Sequence, residues 1–115
     1  MNSIQLTILN GPNEGRRLKC DGTEFVVGRG STGDFQVIDF RMSREHFRLA
    51  YTDGTWQVHD LSSRNGTVVN DERQHLADLR DGDKIVAGDT SFRVDIGQDF
   101  FRAQRRTRRS KPANG

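Results

Sequence analysis

Residues 46–61 read HFRLAYTDGTWQVHDL. Phe47, Leu49 and Tyr51 alternate with Arg48 and Ala50, and after Asp53-Gly54 the residues Trp56 and Val58 alternate with Gln57 and His59. A period of two puts one set of side chains on one face of a strand, and an Asp-Gly pair between two such runs closes a tight hairpin. The stretch therefore predicts two antiparallel strands, 46–51 and 55–61, with Trp56 and Val58 turned to a core. The same period recurs outward on both sides. Upstream it predicts strands over 4–9, 16–20, 24–28 and 35–38, separated by Asn10-Gly11-Pro12-Asn13, by Asp21-Gly22 and by RGSTGD at 29–34. Downstream it predicts strands over 67–69, 84–87 and 91–96, with a turn at Asp81-Gly82-Asp83. No segment sustains an apolar period of 3.6 long enough to argue a helix. The fold class is all-β, an antiparallel β-sandwich of many short strands with its binding loops at one end.

With 115 residues the chain has the size of one domain. Charged residues make up 30% and hydrophobic residues 32%, which implies a very polar surface around a modest core. The charge is uneven. Residues 1–101 carry 12 Lys and Arg against all 16 Asp and Glu, whereas 102–115 carry Arg102, Arg105, Arg106, Arg108, Arg109 and Lys111 with no acid. The body is mildly acidic and the basic excess belongs to a tail without an apolar face, so net charge does not mark the body as a nucleic-acid binder. The expected organisation is one domain over 1–98 and a basic, disordered tail or linker over 99–115. The single cysteine, Cys20, excludes an intrachain disulfide and fits a reducing compartment. No apolar run approaches a membrane span and no signal peptide opens the sequence, so a cytoplasmic module with no membrane partner is the expectation.

In a sandwich the end loops carry function. Three of them hold unusual residues: Gly28-Arg29-Gly30-Ser31, Arg41-Met42-Ser43-Arg44, and Ser62-Ser63-Arg64-Asn65-Gly66. Each offers an arginine, whose guanidinium fork matches the oxygens of an anion, and hydroxyls and loop N–H groups can complete the shell. The middle loop lies within DFRMSREHF at 39–47, which also contains the residue types of a hydrolase: Ser43 and His46, with Glu45, Asp39 or Asp60 as the acid. No nucleophile-elbow pattern surrounds Ser43. The residue types alone leave both readings open.

VGRG at 27–30, SREH at 43–46 and DLSSRNGTVVN at 60–70, in this order and spacing, resemble the signature of the forkhead-associated (FHA) domain. The resemblance covers roughly residues 3–96. Domains of this family are FHA/SMAD-like sandwiches that bind phosphothreonine peptides at the loops of one end, through clustered arginines. The resemblance implies that Arg29 contacts the phosphate or the peptide backbone beside it and that Ser43 donates its hydroxyl to a phosphate oxygen. Arg44 is implied to present a backbone N–H and a side chain to the phosphate. Arg64 lies in the loop that shapes the threonine pocket, Asn65 is implied to clamp the peptide main chain, and Gly66 permits the turn. Gly28, His46, Thr67 and Asn70 are implied as structural support, His46 by bonding within its loop and holding Ser43 in place. Ser62 and Asp71 depart from the pattern, standing where glycine is common. Arg41 is either an extra cation of the cradle or a solvated surface residue, and Glu45 is expected to face solvent. The implied function is that of a non-enzymatic phosphothreonine reader without metal or cofactor, part of a larger signalling or regulatory protein.

The remaining candidates carry less. His46, His59, His75 and Cys20 match no metal-ligand spacing. Phe35, Phe47, Phe92 and Trp56 sit at core-like strand positions. The tail RAQRRTRRSKP at 102–112 suits nonspecific attraction to nucleic acid. Its Thr107 follows paired arginines, and once phosphorylated it would offer a ligand for the cradle of the same or a neighbouring molecule. Two alternatives stand beside the reader: an FHA-like scaffold indifferent to phosphate, and a passive sandwich carrying a nucleic-acid-binding tail, which deletion of 102–115 tests.

Overall fold

A computed structural model describes residues 2–98 of the chain. The basic tail expected over 99–115, with Thr107, lies outside the described residues. Eleven strands follow one another: β1 (Asn2–Ile8), β2 (Arg17–Cys20), β3 (Glu24–Gly28), β4 (Phe35–Gln36), β5 (Phe47–Thr52), β6 (Thr55–Asp60), β7 (Thr67–Val69), β8 (Glu72–Arg73), β9 (Leu76–Asp78), β10 (Lys84–Ala87) and β11 (Thr90–Gln98). They form two sheets, ordered β2-β1-β11-β10-β7-β8 and β4-β3-β5-β6-β9. All pairings are antiparallel except β3 with β4, where Val27 faces Phe35 in a parallel pair. None of the described residues forms a helix long and apolar enough to cross a membrane.

The period of two becomes the core. Phe47 and Leu49 of β5 and Trp56 and Val58 of β6 are buried on one sheet, and Ile4, Leu6 and Ile8 of β1 with Phe92 and Val94 of β11 are buried on the other. Phe47 meets Phe92 edge-on, ring centres 5.5 Å apart, so one aromatic pair joins the two sheets. Phe35 is only partly buried and packs against this core. The hairpin between β5 and β6 turns at Asp53-Gly54 with φ of 52° and 83°, the two positive angles a two-residue hairpin loop needs.

The sheets differ from expectation at their edges. The strand expected over 35–38 shrinks to Phe35–Gln36. Val37 then donates its N–H to Gly28 O and is buried, while Ile38 turns out to solvent. Strands β8 and β9 were not foreseen; they are two and three residues long, mostly exposed, and carry no alternation to read.

Strand direction positions the site. β3, β6 and β10 end, and β5, β7 and β11 begin, at one rim, as the pairs Val27–Phe47, Phe47–Asp60, Ala87–Thr67 and Ala87–Thr90 record. The three arginine loops are connections at that rim.

Candidate functional site

The 41–46 loop lies on the end of β3. Arg29 and Gly30 donate their N–H groups to the carbonyls of Ser43 and Arg44 at 2.9 and 3.0 Å, and His46 donates its N–H to Val27 O at 2.9 Å. Gly28 permits this approach, since a Cβ there would collide with the Arg44 carbonyl and lie 2.9 Å from Glu45 Cα. Glu45 is exposed, and it also accepts a bond from Thr32 Oγ1 at 2.9 Å, which ties the 29–34 turn to the same loop.

His46 is 0% exposed. Its Nδ1 accepts the N–H of Ser43 at 3.0 Å, so the ring proton sits on Nε2 and is donated to Gly66 O at 2.8 Å. One imidazole thus fastens the 41–46 loop to the 62–66 turn. Ser43 Oγ makes no bond to this ring; it accepts Arg64 N–H at 2.9 Å, which leaves its own proton to donate outward. Both ring nitrogens of His46 are engaged with backbone groups, so the hydrolase pairing of serine with a histidine base is not built here.

Asp60, the last residue of β6, organises the third loop. Its carboxylate accepts the N–H of Ser63 at 3.1 Å, the Ser63 hydroxyl, and Thr67 Oγ1 at 2.7 Å. Burial alone raises its pKa, but the bonds from Ser63 and Thr67 outweigh burial and hold it below the usual 3.8. Gly66 has φ of 81° and its N–H donates to Ser63 Oγ at 2.9 Å, so its backbone donor and carbonyl both serve the loop. Asn65 Nδ2 donates to Arg41 O at 2.7 Å, a second fastening between the two loops.

Asp39 builds the remaining wall. Oδ1 accepts Arg41 N–H at 2.8 Å, while Oδ2 accepts Asp89 N–H at 2.8 Å and Thr90 Oγ1 at 2.6 Å. Burial again raises its pKa, and these bonds, with that from Met42, bring it below 3.8. Sequence reasoning cast Asp39 only as an acid for a hydrolase. The signal for its scaffolding role was an aspartate two residues before Arg41, the spacing at which Asp bonds the backbone ahead of it.

These loops enclose an open depression of about 350 Å³. Arg29, Arg41, Arg44 and Arg64 line it together with Ser43 and Asn65. Arg29 is held in place by its Nε, which donates to Met42 O at 3.0 Å. Arg41 stands 3.4 Å from the Asp89 carboxylate, an exposed pair of little strength. Among the described residues Arg44 and Arg64 have no acidic partner. Four guanidinium groups and an outward-donating hydroxyl in one hollow suit an anion with several oxygens. A larger hollow of about 510 Å³ lies behind the 62–66 turn, but it is lined by a single arginine, Arg73, together with the Asp60 carboxylate.

One supporting residue sits elsewhere. Asn70, expected to brace the site, has its side chain bonded to Asp83 Oδ1 at 2.9 Å and to Lys84 N–H at 3.0 Å. β7 carries it away from the rim, so it braces the opposite end of the sandwich. His59 and His75 pack ring to ring at 5.7 Å, and His59 Nδ1 faces an Arg48 nitrogen at 3.1 Å. Cys20 is buried in β2, its thiol pushed up to about 12 by burial and then by Asp21 and Asp34. Among the described residues no three of His, Cys, Asp and Glu converge as metal ligands.

A family model described as FHA domain matches residues 25–88. An FHA domain-containing protein of Arabidopsis thaliana is 33% identical over 115 residues, 95% of this chain and 30% of that protein. The glycogen accumulation regulator GarA of Mycolicibacterium smegmatis is 36% identical over 86 residues, 75% of this chain and 54% of GarA. The chain thus spans less than two thirds of the length of these relatives. A solved structure described as a study of phosphothreonine-dependent FHA domain interactions superposes with a TM-score of 0.76 at 29% identity, covering 84% of this chain and 98% of that one.

Proposed function

The chain belongs to the FHA domain family, and from that premise we propose that it is a phosphothreonine-peptide-binding module serving phosphorylation-dependent protein–protein interaction. The observation that carries this reading is the hollow where Arg29, Arg41, Arg44 and Arg64 surround a Ser43 hydroxyl that accepts the Arg64 N–H and keeps its own proton to donate. A phosphate dianion with three terminal oxygens needs several converging donors. Ser43 gives its proton, Arg29 and Arg44 give forks, and Asn65, fastened through one N–H of its amide, keeps its Oδ1 facing the peptide main chain. Gly28, His46, Gly66 and Thr67 hold the loops in the shape that aims these groups. The role is binding rather than catalysis, in line with a relative named as a regulator, and no metal or cofactor takes part.

The reading is tested with a phosphothreonine peptide library, with phosphoserine and unphosphorylated peptides as controls. Binding is expected to require the phosphate and to fall at least about tenfold in Arg29→Ala and in Ser43→Ala, since each removes a charge-assisted bond. Both variants are expected to melt close to the parent. Equal affinity for phosphorylated and unphosphorylated peptides would point instead to the phosphate-indifferent scaffold.

A further inference from the structure

The six-stranded sheet turns a charged face to solvent, away from the arginine hollow. Ile4, Leu6 and Ile8 of β1 point into the core, so Thr7 points the other way. Register places Thr7 between Arg17 of β2 and Arg93 of β11, and Arg93 beside Lys84 of β10. Arg17, Arg93 and Lys84 are all exposed, so one row across four strands holds three cations. With strands about 4.8 Å apart, the row spans about 14 Å. Lys19 and Asp95 occupy the next row. Asp95, the one acid in the two rows, stands 3.4 Å from Arg93 and offsets part of one charge. In the middle of the first row, Thr7 Oγ1 is buried and has no hydrogen-bond partner. An unpaired buried hydroxyl costs free energy that an arriving oxygen recovers. Cross-strand neighbours have Cβ atoms about 5 Å apart, so such an oxygen comes within reach of both flanking guanidinium groups. These long, exposed side chains can swing aside to admit it.

We propose that this sheet face is a second docking surface, which takes an acidic segment of a partner protein and seats one of its carboxylates at Thr7 between Arg17 and Arg93. Charge complementarity favours this occupant, because the face is basic on a body whose residues 1–101 carry 16 acids against 12 bases. Size does too. A row about 14 Å long matches a few carboxylates. A nucleic-acid duplex carries a charge about every 1.7 Å along its axis and would run on over the acidic remainder. None of the residues in these rows lines the arginine hollow, so the face stays open while the hollow is filled, and the proposal does not depend on the phosphothreonine reading.

The test follows a fluorescent peptide of alternating glutamate and serine by anisotropy against the full chain, with a glutamine–serine peptide as control. The glutamate peptide is expected to bind at least about tenfold more tightly than the control. Arg17→Ala with Arg93→Ala is expected to lose about tenfold of that affinity, with phosphothreonine-peptide binding and melting temperature close to the parent's. Arg17→Ala alone, with a smaller loss, keeps the test open should the double variant misfold. Thr7→Val is expected to weaken glutamate-peptide binding and yet to melt no lower than the parent, since it removes an unpaired hydroxyl. A Thr7 that serves the fold alone would move the melting temperature and not the affinity. Glutamate-peptide binding that is unchanged in the arginine variants overturns the proposal, as does a parent chain without preference for glutamate over glutamine. A single-stranded oligonucleotide or a phosphatidylserine vesicle held more tightly than the glutamate peptide, and released by the same substitutions, overturns the acidic-protein occupant in favour of that polyanion.

Discussion

At the scale of single residues, His46 is the tie between two loops. Its ring receives the Ser43 N–H and gives its proton to Gly66 O, with no exposure to water. His46→Ala leaves a buried N–H and a buried carbonyl unpaired beside a cavity, which costs about 3 kcal/mol in urea unfolding. The same change frees Ser43 to wander, so phosphopeptide affinity falls although no ligand atom has lost its direct partner. A variant as stable as the parent would refute the tie. Ser62 and Asp71 show how residue identity records backbone shape. Both occupy positions where the family favours glycine, and both have positive φ, 56° and 71°. The departures from the pattern are thus points of strain carried by Cβ atoms.

At the scale of elements, the β7–β8 hairpin turns on Asn70 and Asp71, with φ of 49° and 71°. A two-residue loop with both φ positive favours Asn-Gly, so Asp71→Gly is expected to raise stability by about 0.5–1 kcal/mol, read as a higher melting temperature. A fall would mean that the Asp71 side chain supports the turn. This hairpin also shows where sequence reading stops. The strands on either side of Asp53-Gly54 were legible because alternation and a glycine turn agree. β8 and β9 are too short and too exposed to alternate, and Asn70-Asp71 lacks the glycine that announces such a turn. The arginine loops were legible as a group because three motifs recur in family order. The tie from the Asp39 carboxylate to the 89–90 loop was not, because those partners lie 50 and 51 residues away.

At the scale of the whole molecule, the described body carries more acid than base, while four arginines meet at one rim. Phosphopeptide binding is therefore expected to weaken as salt screens that patch. The rim also holds two carboxylates whose hydrogen bonds favour the charged form. Asp39 and Asp60 both have folded pKa values below the ordinary 3.8. Their contribution is complete above 3.8 and is lost as the pH falls through the lower folded values. Asp60→Asn should accordingly melt below the parent at pH 7, with the two melting temperatures converging as the pH falls below 3.8 and the parent's carboxylate becomes protonated. A gap that stays constant would show that the carboxylate charge contributes nothing.

The pairing of Asn2 with Gln98 gives the molecule a handle. β1 arrives at the rim and β11 departs from it, so the two ends of the described chain stand side by side about 20 Å from the arginines, the length of a seven-residue strand. Both ends of the described chain therefore lie on the side turned away from the arginine hollow. Tethering by either end to a surface should present the cradle equally, and capture of the two tagged forms should give the same peptide affinity.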